Sequence, residues 1–187
     1  MAGQLTPGRF IALTDEPFVV FIVGMRINRL WHLRKWTFGV LAFIKQYKLL
    51  LKHPEKGFMG GQHIIYPRGM GMIMYWKSYD DLDKWARDPS EPHLETWKRY
   101  NQLVRGNGTF GVWHETYLID PAKYEAIYSS MPSFALGTVF PLVPALGRKE
   151  TARRRLGGDN EVIVESPAKD AAPPPQPNLP KPTPVPN

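Results

Sequence analysis

The residues of this chain best suited to chemistry are five histidines, at 32, 53, 63, 93 and 114, and one short run, Gly111-Val112-Trp113-His114-Glu115-Thr116-Tyr117. No cysteine is present, which excludes thiolate nucleophiles, thiolate metal sites and disulfides. No two histidines stand at i, i+4 with a carboxylate between them, so a helical zinc motif is absent. Gly57-Phe58-Met59-Gly60-Gly61 precedes a strand-like run rather than a helix, which makes it a poor phosphate loop. What remains is proton transfer by imidazole or carboxylate, or ligation of a metal by a single imidazole.

His93 falls in the first turn of an expected helix, where the helix dipole disfavours a cationic ring and keeps the imidazole neutral. A neutral imidazole can accept a proton or ligate iron; a plain helix-start histidine bonded to backbone is the other reading. Trp97, one turn on, is either a pocket wall or core. In the 111–117 run, strand alternation sends Trp113, Glu115 and Tyr117 to one face and His114 and Thr116 to the other. Such material suggests a strand buried on both faces with one face lining a pocket. His114 or Glu115 is then the pocket residue, not both. Arg26 and Asn28 share a face of the first long apolar run and make a polar end to a cavity, unless Arg26 pairs with Glu115.

The elements that must carry these groups can be read from periodicity. Residues 1–16 read as a lead-in arm. Residues 18–28 form a near-continuous apolar run suited to a central strand. Trp36, Val40, Phe43, Tyr47 and Leu50 recur in steps of four and three and predict a helix from about 30 or 35 to 53, stopped by Pro54. Residues 57–61 read as a loop, and 62–66 and 70–76 as strands joined at Pro67-Arg68-Gly69. Ser78-Tyr79-Asp80-Asp81 resembles a capping box opening a helix. A second helical piece carries His93, Trp97, Tyr100 and Val104 on one face. A final strand covers 109–119. Asp120-Pro121 reads as an N-cap followed by a helix through Tyr124, Ile127 and Tyr128.

This order, strand, helix, strand, strand, helix, strand, helix, predicts an α+β, ferredoxin-like βαββαβ fold with an antiparallel sheet and its helices on one face. The other face needs cover, and the apolar Met70, Met72, Met74 and Trp76 are expected to demand it. Two subunits packed sheet on sheet supply that cover, so a homodimer is expected. The domain is expected to span 1–147. Residues 148–187 read as a basic linker followed by a proline-rich, disordered tail, which could recruit a partner as a polyproline II ligand.

The formal charge is +7, partly from the basic stretch 148–155. No nucleic-acid motif accompanies it, so no nucleic-acid partner is expected. No apolar run is long enough to span a bilayer, and no secretory signal stands out. A cytoplasmic protein is expected, with peripheral membrane contact open through the apolar residues 134–146.

The strand 111–117, the run Trp76-Lys77-Ser78-Tyr79-Asp80-Asp81-Leu82, and His93 with Trp97 resemble the DUF4188 family, also described as monooxygenase-like after a fungal enzyme that cleaves a polyene oxidatively. The similarity covers roughly residues 5–147 and includes Asp120-Pro121, Tyr124-Glu125, Ile127-Tyr128, Met131-Pro132 and Phe134. It implies a dimeric α+β barrel and an oxidative role in secondary metabolism, on a hydrophobic conjugated small molecule. Three functions stay open. A cofactor-free oxygenase would use His93 or His114 as base, with Asn28, Trp97, Trp113 and Tyr117 about the substrate. A haem enzyme would take His93 as the iron ligand. A non-catalytic binding protein would act through its tail.

Overall fold

The computed structural model describes residues 5–104 and 108–163. The proline-rich tail, expected to be disordered and to recruit a partner, lies outside the described residues. The chain divides into two compact units: Phe18–Leu118, and a second made of Met1–Pro17 with Ile119–Asn187.

The larger unit runs β2 (Phe18–Ile27), α1 (Leu33–Leu51), β3 (Phe58–Tyr66), β4 (Gly69–Trp76), α2 (Tyr79–Arg87), α3 (Pro92–Val104) and β5 (Phe110–Ile119), after a first strand β1 (Thr6–Ala12) that belongs to the other unit. Its sheet has the order β3-β4-β2-β5, with β2 and β3 both antiparallel to β4. This is the expected α+β, βαββαβ arrangement. The β-branched and aromatic run of β2 sits between two strands, where such side chains pack best.

Between β3 and β4 the turn needs a left-handed residue, and Arg68 adopts φ 64° there. Its guanidinium holds that conformation by donating to Ile27 O at 3.1 Å and Asn28 O at 2.6 Å. β3 begins at Phe58, so most of the expected 57–61 loop is strand, bulged between Phe58 and Gly60.

The α1 stripe packs as expected. Leu50 joins Val19, Met72, Met74, Trp76, Leu82 and Trp85 in one buried cluster, against which Phe43 and Tyr47 also pack. Ser78 caps α2: its Oγ accepts the Asp81 N–H at 3.1 Å. Lys56, just after α1, is ion-paired with the buried carboxylate of Glu91 at the entry to α3.

This cluster corrects the expectation about sheet cover. Met72, Met74 and Trp76 lie under the helices, not on the opposite face. The opposite face carries Tyr66 and Trp113 instead. Trp113 Nε1–H donates to the Tyr66 hydroxyl at 2.9 Å, and that hydroxyl sits 2.9 Å from Met25 O and 3.0 Å from Met70 O as their shared donor. Gly24 makes room for the pair: a Cβ there would lie 2.4 Å from the Tyr66 oxygen and 2.8 Å from the Trp113 indole.

The smaller unit differs from the sequence expectation. β1 is the centre of a three-stranded sheet, between β6 (Tyr128–Met131) and β7 (Leu142–Pro144), antiparallel to both. The arm is therefore core: Phe10, Ile11 and Ala12 are buried. The helix expected after Asp120-Pro121 is one 3₁₀ turn, Pro121–Lys123, followed by the extended β6. The local cap is real, since Asp120 Oδ1 accepts the Ala122 N–H at 2.9 Å, but pairing with β1 overrides further helix. Leu136, Val139, Phe140, Leu142 and Ala145 are buried, while Phe134 and Leu146, at the two ends of the apolar residues 134–146, stay exposed. The basic stretch ends in α4 (Ala152–Arg155), where Arg155 donates twice to Glu125 Oε2, at 2.7 and 3.0 Å. No helix among the described residues is long and apolar enough to cross a membrane.

Candidate functional site

A cavity of about 670 Å³ lies in the larger unit, walled by α1, α2, α3 and one face of the sheet. Its sheet side is Phe21 and Val23 from β2, Met72 and Met74 from β4, and Val112, His114 and Thr116 from β5. These are alternate positions, so period-two geometry decides which residues enter. Its helix side includes Phe38, Phe43 and Gln46 of α1, Trp85 of α2, and His93 and Trp97 of α3. A smaller, apolar hollow of about 230 Å³ by Met25, Ile27 and Val40 carries no imidazole or carboxylate.

His93 and His114 thus enter one cavity from different walls. His93 is tilted against Trp85, ring centroids 4.4 Å apart. Burial pushes its imidazole below its ordinary pKa and favours the neutral ring. The direction is the one expected at a helix start, but its cause is desolvation. His114 packs against Phe21 at 5.6 Å. Trp97 stacks on Tyr100 at 4.9 Å, and Arg99 sits 4.7 Å over Phe38, bracing α3 on α1.

Arg26, Asn28, Trp113, Glu115 and Tyr117 do not line the cavity. Arg26 donates to Asn28 Oδ1 at 2.8 Å rather than pairing with Glu115. Glu115 instead accepts from the Tyr117 hydroxyl at 2.5 Å, which raises the Tyr117 pKa. β5 is an edge strand, exposed along most of its length in this chain, and not buried on both faces as expected.

Sequence reasoning missed Gln46. It is 5% exposed on the α1 stripe, lines the cavity, donates to Thr96 Oγ1 at 3.3 Å, and leaves its own Oε1 without a partner. The signal was available: a polar residue three after Phe43 and four before Leu50, inside an apolar stripe. The indole N–H of Trp85 is likewise buried and unpaired. Such groups are rare in native interiors; Trp76 Nε1 and Glu91 Oε2, outside the cavity lining, share the condition.

The sequence pattern of the monooxygenase af470-like family matches residues 18–136. The chain belongs to that family. The match takes in all of the larger unit and so every residue that lines the cavity. Monooxygenase af470 of Aspergillus fumigatus is 30% identical over 129 residues, 64% of this chain and 45% of that protein. This member of the monooxygenase af470-like family therefore spans less than half the length of that relative. Two crystal structures of aldoxime dehydratase, one in complex with butyraldoxime, have TM-scores of 0.58 and 0.55. Both are 16% identical; they cover 78% and 74% of this chain and 44% and 43% of their own. At that identity the likeness is one of fold.

His93, a neutral imidazole in an apolar, aromatic-walled space, could ligate the iron of a haem, the cofactor weighed above. Arg87 at the cavity edge could meet a carboxylate, though Asp83 already accepts from it at 2.8 Å. The donor set fits, with His93 as the holding residue. Among the described residues no cluster of three or more His, Asp or Glu could hold a free metal ion.

Proposed function

We propose that this family member is a monooxygenase acting on a hydrophobic, conjugated small molecule held between the sheet and the helices. The observation that carries the reading is the entry of His93 and His114 into one largely apolar cavity from opposite secondary-structure layers. A neutral His93 takes a proton from an activated methylene of the substrate, with His114 on the facing wall as second acid or base. The carbanion gives its electrons to O2; one oxygen atom enters as a carbonyl and the other leaves as water with the two methylene hydrogens. Atoms and electrons balance without an added reductant. Phe21, Trp97 and Tyr100 hold the conjugated body, and exclusion of water keeps the base neutral.

Oxygen uptake with polyenes and polyketide phenols tests this. The wild-type chain consumes oxygen with at least one such compound, and His93→Ala lowers turnover by about 10²-fold or more while retaining the fold. Equal turnover in wild type and in His93→Ala with His114→Ala overturns it.

A haem enzyme is the second reading, supported by the neutral His93. Haem would supply one-electron and O2 chemistry at the iron, and this chain would hold it by that imidazole. Saturable hemin binding with a Soret band lost in His93→Ala selects it; a featureless titration removes it.

A homodimer is part of the proposal. Trp113 and Tyr117 stay 36% and 47% exposed on the sheet face away from the helices, an apolar surface that a second copy would cover. Light scattering at micromolar concentration should give twice the chain mass, and a monomer would refute it.

A further inference from the structure

The turn from β2 into α1 holds the most exposed aromatic side chain of the described residues. Leu30, Trp31 and Leu33 are 51%, 77% and 58% exposed, side by side. Their neighbours Arg26, Arg29, Arg34 and Lys35 are all cationic, and no Asp or Glu occurs between Glu16 and Glu55. Arg68 adds a further cation, pinned to the carbonyls of Ile27 and Asn28.

This exposure is built, not slack. The N–H groups of Asn28 and Arg29 both donate to Thr109 O, at 3.0 and 3.1 Å. The His32 ring reaches Thr109 Oγ1 at 2.9 Å, and the Trp36 indole donates to Leu30 O at 3.0 Å. A turn tied at four points presents Trp31 outward.

Local stability argues against this sequence. The first turn of α1 contains no acidic residue, its N-cap side chain makes no capping bond, and Arg34 and Lys35 stand at the positive end of the helix dipole. Residues that break the local rule without a local gain mark a site shaped by something else.

We propose that residues 29–35, with Arg26 and Arg68 beside them, dock on an anionic lipid bilayer. An aromatic and aliphatic tip ringed by cations is the composition that settles at a membrane interface, the indole at headgroup level and the cations on anionic lipid. A second copy of the chain does not complement it, because a two-fold contact would set one cationic ring against another. Docking would place α1, whose Phe38 lines the cavity, next to the phase in which an apolar substrate dissolves. The inference rests on this surface and not on the reaction proposed above.

Cosedimentation of the full chain with vesicles tests it. Vesicles of phosphatidylcholine with roughly one-third phosphatidylserine should bind the protein, neutral vesicles should not, and salt should weaken binding. Trp31→Ser with Leu33→Ser, and separately Arg29→Glu with Arg34→Glu, should each lower the partition coefficient at least about tenfold, each charge counting about fivefold. All four residues are exposed, so circular dichroism of both variants should match wild type. Arg148→Gln with Lys149→Gln and Arg153→Gln should leave binding unchanged and clear the other basic stretch. Equal binding to neutral vesicles, no binding at all, or loss only in the last variant overturns the proposal. So does a halved solution mass in the Trp31 variant without lipid, which would assign the surface to a second copy.

Discussion

The imidazole of His93 lies against the indole of Trp85, their rings 31° from parallel and 4.4 Å between centroids. The two side chains come from α3 and α2, and the contact closes one wall of the cavity. It buries a titratable group and favours its neutral form, the form the proposed base requires.

Stability should therefore fall in mild acid. The folded pKa of His93 lies below its ordinary 6.5, so between these values the unfolded chain binds the extra proton. Stability contributed by the neutral ring is complete above about 6.5 and is lost as pH falls towards the folded value. Melting temperature measured from about pH 7.5 to 5 should drop in wild type, and the drop should flatten in His93→Phe. An unchanged slope would show that another group controls the acid limb.

His114 and Glu115 are neighbours whose substitution should have opposite consequences. His114 faces the cavity, whereas Glu115 accepts from Tyr117 on the other face. His114→Ala should weaken binding of an apolar probe such as a polyene fatty acid by about tenfold, and Glu115→Ala should leave it unchanged. Quenching of intrinsic tryptophan fluorescence reads both.

These neighbours also show where sequence stopped being informative. Strand alternation alone separates His114 from Glu115, and steps of four and three place Trp36 to Leu50 on one helix stripe. Which face met the helices depended on packing partners far along the chain. Residues 120–147 were misread for a related reason. The Asp120-Pro121 cap is a local signal, while β6 and β7 exist through pairing with Thr6–Ala12 more than a hundred residues earlier. Gln46 was passed over because the apolar stripe around it satisfied the helix pattern so well.

Gly24→Ala should destabilise the larger unit by about 1–3 kcal/mol, since the new methyl would collide with Tyr66 and Trp113. Trp113→Phe removes the indole donor that the collision involves and should cost about 1 kcal/mol alone. In the double variant the costs should be less than additive by urea denaturation; strict additivity would mean that the collision lies elsewhere.

Ser78→Ala should cost about 1 kcal/mol through loss of the α2 cap, with no change in ligand binding. Gln46→Leu should do the reverse. Removing a buried, unpaired carbonyl oxygen should leave stability level or raise it by about 1 kcal/mol, while probes with a hydroxyl or amide end lose affinity relative to hydrocarbon. Chemical denaturation and competitive binding separate the two.

The central place of β1 between β6 and β7 has a consequence for biogenesis. Its partners, Tyr128 across from Phe10 and Val143 across from Ile11, are synthesised only after the whole of the larger unit. At ribosomal speed the apolar segment Phe10-Ile11-Ala12 waits many seconds with both edges open. The larger unit, drawn from Phe18–Leu118 alone, is free to fold during that interval. The chain's first strand is thus the last to be sheltered, and a holdase that grips the nascent chain would be expected to grip it there.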